Sequence, residues 1–362
     1  MDARSILFGL HELPGFGWRS IQKLLHRVPD LTNLLQRGWN QQELSGLQPD
    51  KLKALKDNFH MDFVASRLNK YAEAGIRFVT VLDEAYPALL KQTAKPPWVL
   101  YYRGNDRLLQ ASAIAVVGTR TPTTYGKKAA ERLSRELSDA GLTVVSGLAR
   151  GIDSSAHLGA LQGKGSTIAV LGTGPDIVYP PENKSLYREI AEKGLILSEF
   201  PLGTSPHPGL FPLRNRIIAG ISLGTVVVEA ALKSGSLITA DQALEESREV
   251  FAVPGPITSP KSLGALSLIK QGAKLVTGAE DILEEYGVLP AANSAAATGY
   301  RNTSMRTEEE RLILGLMREE PISFDDLLER SHFQFGHLHS VLLSLLMKKE
   351  IEQLPGSMYV IL

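Results

Sequence analysis

Six short runs of Val, Ile, Leu and Ala in the middle of this chain limit its fold more than any other feature. They are Ala113–Val117, Thr143–Ser146, Thr167–Leu171, Leu195–Ser198, Thr225–Val228 and Val250–Val253. None alternates apolar with polar residues, so neither face of such a strand is suited to water. That pattern belongs to parallel sheets covered on both sides. Parallel neighbours need a crossover, and helical patterns such as Lys127–Asp139 stand between the runs. Residues 107–287 are therefore expected to form a Rossmann-like, doubly wound α/β domain with a mostly parallel sheet.

In open sheets of this kind, ligands bind past the carboxyl ends of the strands. The turns at those ends are rich in Gly, Ser and Arg. They read Val117-Gly118-Thr119-Arg120, then Ser146-Gly147-Leu148-Ala149-Arg150-Gly151-Ile152-Asp153, then Leu171-Gly172-Thr173-Gly174 leading to Tyr179-Pro180-Pro181-Glu182-Asn183. A further one, Lys233-Ser234-Gly235-Ser236, opens a helix. Glycine lets backbone amides approach a phosphate, and Ser or Thr adds a donor without bulk. One such turn is an ordinary tight connection. Several on one sheet edge point to an elongated phosphate-bearing ligand, with Arg120 and Arg216 as charge partners. The glycine after Gly118 is Gly126, so no dinucleotide fingerprint is present and no cofactor is expected.

The block Phe211-Pro212-Leu213-Arg214-Asn215-Arg216-Ile217-Ile218-Ala219-Gly220 reads as the mouth of a helix. Proline is tolerated in a first turn, whose free N–H groups attract anions. Arg214 and Arg216 add positive charge, and Phe211 offers a flat plate, a combination suited to a stacked base and its phosphate. Taken alone, the segment reads equally well as a surface helix with a core-facing Phe.

The flanks differ in character. Residues 1–75 read as short helices around the Leu13-Pro14-Gly15-Phe16-Gly17-Trp18 turn. A Gly-Phe-Gly turn between short helices resembles helix-hairpin-helix and sterile-alpha-motif-like modules, and a purely structural bundle reads as well. Arg77–Leu82 and Trp98–Arg103 add two strands, so the extended sheet domain spans 76–287. Residues 288–304 are small and polar, as in a linker. Helical patterns near 307–318, 323–330 and 336–348, with a hairpin over Gln353–Leu362, give a winged-helix outline for 305–362. From residue 291 on there are 10 acidic against 7 basic residues, and the last helix has no arginine to read bases. A protein-contact role suits that domain better than duplex binding.

Composition removes several classes. With no cysteine, neither disulfides nor a thiolate metal site can form. No apolar run reaches the length of a membrane helix and no signal peptide opens the chain, so a cytoplasmic protein is expected. Net charge is zero, so any nucleic-acid site must be a local patch. Asp153 and His157, four apart, could be an acid–base pair, or a helix cap and a packed ring. Glu229 closes a buried strand and could serve a nucleotide-processing, phosphoribohydrolase-like enzyme. The Pro-Gly-Gly-x-Gly-Thr signature of that class is absent, the run being Leu223-Gly224-Thr225. Ser146 and Ser234 have no histidine base, and His337 and His339 lie on different helix faces, so no metal is expected. A binding protein, not an enzyme, is the preferred class.

Strung together, Val-Gly-Thr-Arg, Ser-Gly-Leu-Ala-Arg-Gly-Ile-Asp-Ser-Ser-Ala-His, Tyr-Pro-Pro-Glu-Asn, Phe-Pro-Leu-Arg-Asn-Arg and Ser-Gly-Ser-Leu-Ile-Thr-Ala resemble the DNA-processing protein A family (DprA, also called Smf) over roughly residues 75–275. The resemblance implies a dimeric core that binds single-stranded DNA. It also implies protection of incoming strands and their delivery to the RecA recombinase in natural transformation. Carried over by position, Gly118, Thr119 and Arg120 would hold phosphates, with Ser146 and Gly147 in the neighbouring turn. Phe211 would stack a base beside Arg214, Asn215 and Arg216. Pro208 stands where some members place a basic DNA contact. The apolar run Leu263–Ile269, with Leu266 at its centre, would supply a dimer surface, or else a helix buried against its own sheet.

Overall fold

The computed structural model describes residues 1–286 except 29, 32 and 33. In the carboxy-terminal part it describes residues 307–317, 321–333, 337–338, 341–342, 344–345, 350–354 and 358–361. The proposed linker and the residues His339 and Leu343 lie outside these. The chain divides into two compact units, residues 1–291 and 292–362.

The first unit is built on nine strands: β1 (Arg77–Thr80), β2 (Val99–Gly104), β3 (Ala113–Val117), β4 (Thr143–Ser146), β5 (Thr167–Leu171), β6 (Leu195–Ser198), β7 (Gly224–Val227), β8 (Glu249–Ala252) and β9 (Lys274–Leu275). Their order is β1-β2-β6-β5-β4-β3-β7-β8-β9. From β6 to β9 every pairing is parallel, whereas β1 and β2 run antiparallel to each other and β2 runs antiparallel to β6. Successive side chains of a strand leave by opposite faces. Ile114 and Val116 thus pack with Ala130, Leu133 and Leu137 of helix Thr124–Asp139. Ala115 and Val117 pack in the other layer with Ile217 and Ile218 of helix Leu210–Gly220 and Ala240 of helix Gly235–Glu245.

The amino-terminal helices share a core with the edge of this sheet. Ile6, Phe8, Ile21 and Tyr71 pack against Val99 and Tyr101 of β2. Trp18 Nε1 donates to the Pro96 carbonyl at 2.7 Å, and Trp98 Nε1 donates back to the Trp18 carbonyl at 3.0 Å.

The second unit has helices Glu308–Leu316 and Phe324–Ser331 and a three-stranded sheet, in which Met358–Ile361 lies between Ile322–Ser323 and Ile351–Leu354. Thr307 and Glu310 form a reciprocal capping box at the first helix. The hairpin expected over Gln353–Leu362 is present as these last two strands. The short third strand carried no readable pattern.

Strand β3 sits where the sheet order reverses. The helix after β3 covers one face and the helix after β7 covers the other, and the two strands are neighbours. The connections leaving their carboxyl ends run to opposite faces of the sheet, which opens a crevice.

Candidate nucleic-acid interface

At that crevice lies a cleft of about 580 Å³. Gly118, Thr119 and Arg120 enter it from the end of β3, and Ser234, Gly235 and Ser236 from the mouth of helix Gly235–Glu245. Phe211, Pro212 and Asn215 enter from the first turns of helix Leu210–Gly220, and Ile218 and Ile238 give apolar wall. Two helix amino-termini thus meet one cavity, and each favours an anion.

Phe211 is half-buried rather than part of a core. The exposed Arg120 guanidinium lies 5.5 Å from its ring centre. The Tyr179 ring lies 5.6 Å away at 34°. Beneath it, a Cβ on Gly172 would stand 2.7 Å from the ring, so that glycine seats the plate. Tyr179 stood in a motif without a role. Its place beside Phe211 depends on the tertiary fold, and the only signal was an aromatic after a Gly-rich turn.

Arg214 also lines the cleft, but its guanidinium is held by the protein itself. It is buried, and its Nη1 donates to the carbonyls of Gly147 and Val170 while Nε donates to Asn215 Oδ1 at 3.1 Å. Burial lowers its pKa to about 10, which the Asp153 carboxylate partly counters. It therefore remains a fixed cation in the cleft wall. Gly147 has no side chain because one would collide with this guanidinium.

Ser146 and the turn after it also serve the protein itself. Ser146 is buried and its hydroxyl donates to the Val116 carbonyl at 2.7 Å, so it is no ligand contact. The amides of Gly147 and Ala149 donate to Asp153 at 3.2 and 3.3 Å. That of Leu148 donates to His157 Nε2 at 3.2 Å, holding Leu148 at a φ of 54°. His157 Nδ1 must then carry the proton, which it gives to Thr167 Oγ1 at 2.7 Å. Burial, helped by the Arg214 charge, lowers the His157 pKa to about 3, so the ring is neutral. Burial raises the Asp153 carboxyl, opposed by Arg214. Asp153 and His157 thus clamp the turn through its amides, rather than forming an acid–base pair or a side-chain cap on the helix.

Glu229 is likewise occupied. Its carboxylate accepts from Thr123 N at 2.8 Å and Thr123 Oγ1 at 2.6 Å, and its carbonyl accepts from Thr119 N at 2.7 Å. It ties the end of β7 to β3 and to the cap of the following helix. Arg216 leaves the opposite side of its helix, where it grips both oxygens of Glu199 and the Lys95 carbonyl at 2.6 Å. It does not line the Arg120–Phe211 cleft. Among the described residues no group of three His, Asp or Glu could hold a metal. None of their helices is long and apolar enough to cross a membrane.

Fold and cleft define a doubly wound α/β protein whose switch-point site joins an exposed arginine, an aromatic plate and two helix mouths. Residues 77–287 match the family model described as DNA recombination-mediator protein A, and residues 290–357 match the DprA winged helix domain. The chain belongs to the DNA recombination-mediator protein A family. Protein Smf of Synechocystis sp. is 37% identical over 325 residues, 81% of this chain and 82% of the relative. DNA processing protein DprA of Bacillus subtilis is 46% identical over 227 residues, 62% of this chain and 75% of the relative. The X-ray structure of DNA processing protein A from Streptococcus pneumoniae superposes with a TM-score of 0.69 at 36% identity, covering 79% of this chain and 99% of that one. A structure of the Helicobacter pylori protein, solved for its single-stranded DNA binding mode, gives 0.53 at 32% identity over 58% of this chain and 95% of that one.

Proposed function

We propose that the cleft between the ends of β3 and β7 binds single-stranded DNA, with a base stacked on Phe211 and phosphates held by Arg120 and the two helix mouths. The observation that carries this is the exposed guanidinium over a half-buried ring, seated on a glycine. Similarity to a protein solved for its single-stranded DNA binding mode supports it. In the cell the chain would protect incoming strands in the cytoplasm and load RecA on them during natural transformation. It would act as a homodimer joined through Leu263, Leu266 and Ile269. The working domain limits are 1–75, 76–287, a linker at 288–304, and 305–362. Binding rather than turnover is favoured because Asp153, His157 and Glu229 are committed to structural hydrogen bonds.

Titration with oligo-dT, blunt duplex and mononucleotide tests the reading. Oligo-dT should bind most tightly, with log K falling by about 0.7 per phosphate engaged for each decade of salt. Preference for blunt duplex, or turnover of the mononucleotide, would overturn it. RecA loading is tested by adding the protein to RecA and a strand precoated with single-strand-binding protein, where filament formation should accelerate.

A further inference from the structure

A second groove, of about 540 Å³, runs along the other side of helix Leu210–Gly220. Its walls are the Leu13–Arg19 turn, Lys95, Glu199–Pro201, and Leu213 and Arg216 of the helix. It gathers the two motifs that the Phe211 cleft leaves unused, the Gly15-Phe16-Gly17 turn and Arg216. Positions 211 and 215, about one turn apart, face the cleft, and positions 213 and 216 face the groove. The helix mouth is therefore a ridge between two concavities, with Leu213 on it, 51% exposed.

The acids of the groove are spent and two of its cations are not. Glu12 is buried, accepts from the hydroxyls of Tyr71 and Tyr101, and lies 3.9 Å from Arg67. Glu199 is bonded through both oxygens to Arg216. Arg19 and Lys95 are exposed, and neither side chain has an ion pair among the described residues. The same groove offers apolar surfaces: Phe200, Leu213 and Trp18, the last stacked on Trp98 at 5.4 Å and 23°. Free cations interleaved with aromatic plates are how grooves without sequence preference track a single strand.

We propose that this groove is the second segment of one continuous single-strand track. A strand with a base on Phe211 crosses the Leu213 ridge and lays its next nucleotides against Trp18, Phe200, Arg19 and Lys95. The proposal rests on the reading of the Phe211 cleft as a single-stranded DNA site. A helix with its side chains is about 10–12 Å across, which a few linked nucleotides span.

The test uses the full chain and oligo-dT of increasing length. Trp18 and Trp98 are two of the three tryptophans, and none lines the Phe211 cleft. Long oligo-dT should quench tryptophan emission and bind more tightly than a short oligonucleotide, which should leave the emission unchanged. The double variant Arg19→Glu, Lys95→Glu should lose the gain with length, and its salt slope should fall by about 1.4, at about 0.7 per lost phosphate contact. An unchanged melting temperature shows that it is folded. Wild-type affinity and salt slope for long oligo-dT in that variant would overturn the track and leave the cleft standing. If Arg120→Ala and Phe211→Ala also bind as wild type, the cleft reading falls and the track with it.

Discussion

Phe211 holds its ring between a guanidinium and a second aromatic ring, on a glycine that cannot push it away. Because the ring is outside the buried core clusters, truncation should remove a ligand surface rather than packing. Phe211→Ala is expected to cost roughly 1–3 kcal/mol of oligonucleotide affinity, with little change in melting temperature. A large thermal loss with affinity intact would show that the ring is structural. Arg120→Ala should weaken binding and lower the salt slope, again without unfolding, since the side chain is exposed. His157 behaves in the opposite way. It is neutral in the fold down to about pH 3, whereas in the unfolded chain it takes a proton near 6.5. Between those values the unfolded state binds more protons, so stability falls as pH falls, by about 1.4 kcal/mol per unit from this group. Asp153 and Glu199, raised by burial, act with the reverse sign, their contributions falling as pH rises. Melting at pH 7 and pH 5 should show a larger drop for wild type than for His157→Asn, and equal drops would refute the clamp's titration.

At the scale of elements, what could be read from residues was whatever depends on local periodicity. Ala113–Val117, Thr143–Ser146, Thr167–Leu171 and Leu195–Ser198 are strands over those same limits, because a strand buried on both faces leaves an unbroken apolar run. Strand β9 is two residues long, too short to carry any pattern. Side-chain direction was harder. Arg214 and Arg216 read as two cations at one mouth, yet one is buried in the cleft wall and bonded to backbone carbonyls while the other turns away to Glu199. The buried carbonyls of Gly147 and Val170 and the carboxylate of Glu199 come from distant strands, and no local pattern announces them. Helix Leu263–Lys270 is divided in the same way. Ala265 and Leu268 are buried against the sheet, Leu266 is half-buried and Leu263 is 38% exposed. Its outer edge is thus free to meet a second copy while its inner edge covers the sheet. Leu266→Arg should stay folded and sediment as a monomer if that edge is the dimer surface. An insoluble chain would place Leu266 in the core, and a folded dimer would place the interface elsewhere.

At the scale of the whole molecule the question is how much the carboxy-terminal unit contributes to holding a strand. It matches the DprA winged helix domain and has its own core, in which Ile313, Leu327, Leu338 and Tyr359 meet. Winged helices read duplex DNA when their last helix offers side chains to bases and phosphates. Here His337 is turned to Glu309, at 3.3 Å, and Leu338 is buried. The tail from residue 291 carries 10 acidic against 7 basic residues. At physiological salt, charges are screened only beyond about 8 Å, so a strand close to this surface would meet net repulsion. The cleft that holds Arg120 and Phe211 is built wholly from residues 117–239. A chain ending at residue 290 should therefore keep nearly all of its affinity for oligo-dT and its salt slope, and lose at most a protein contact. Affinity measured side by side for the full and shortened chains, with sedimentation to confirm the same assembly, decides this. A large fall in affinity, with the shortened chain folded and assembled as before, would mean that the acidic unit binds the strand despite its charge.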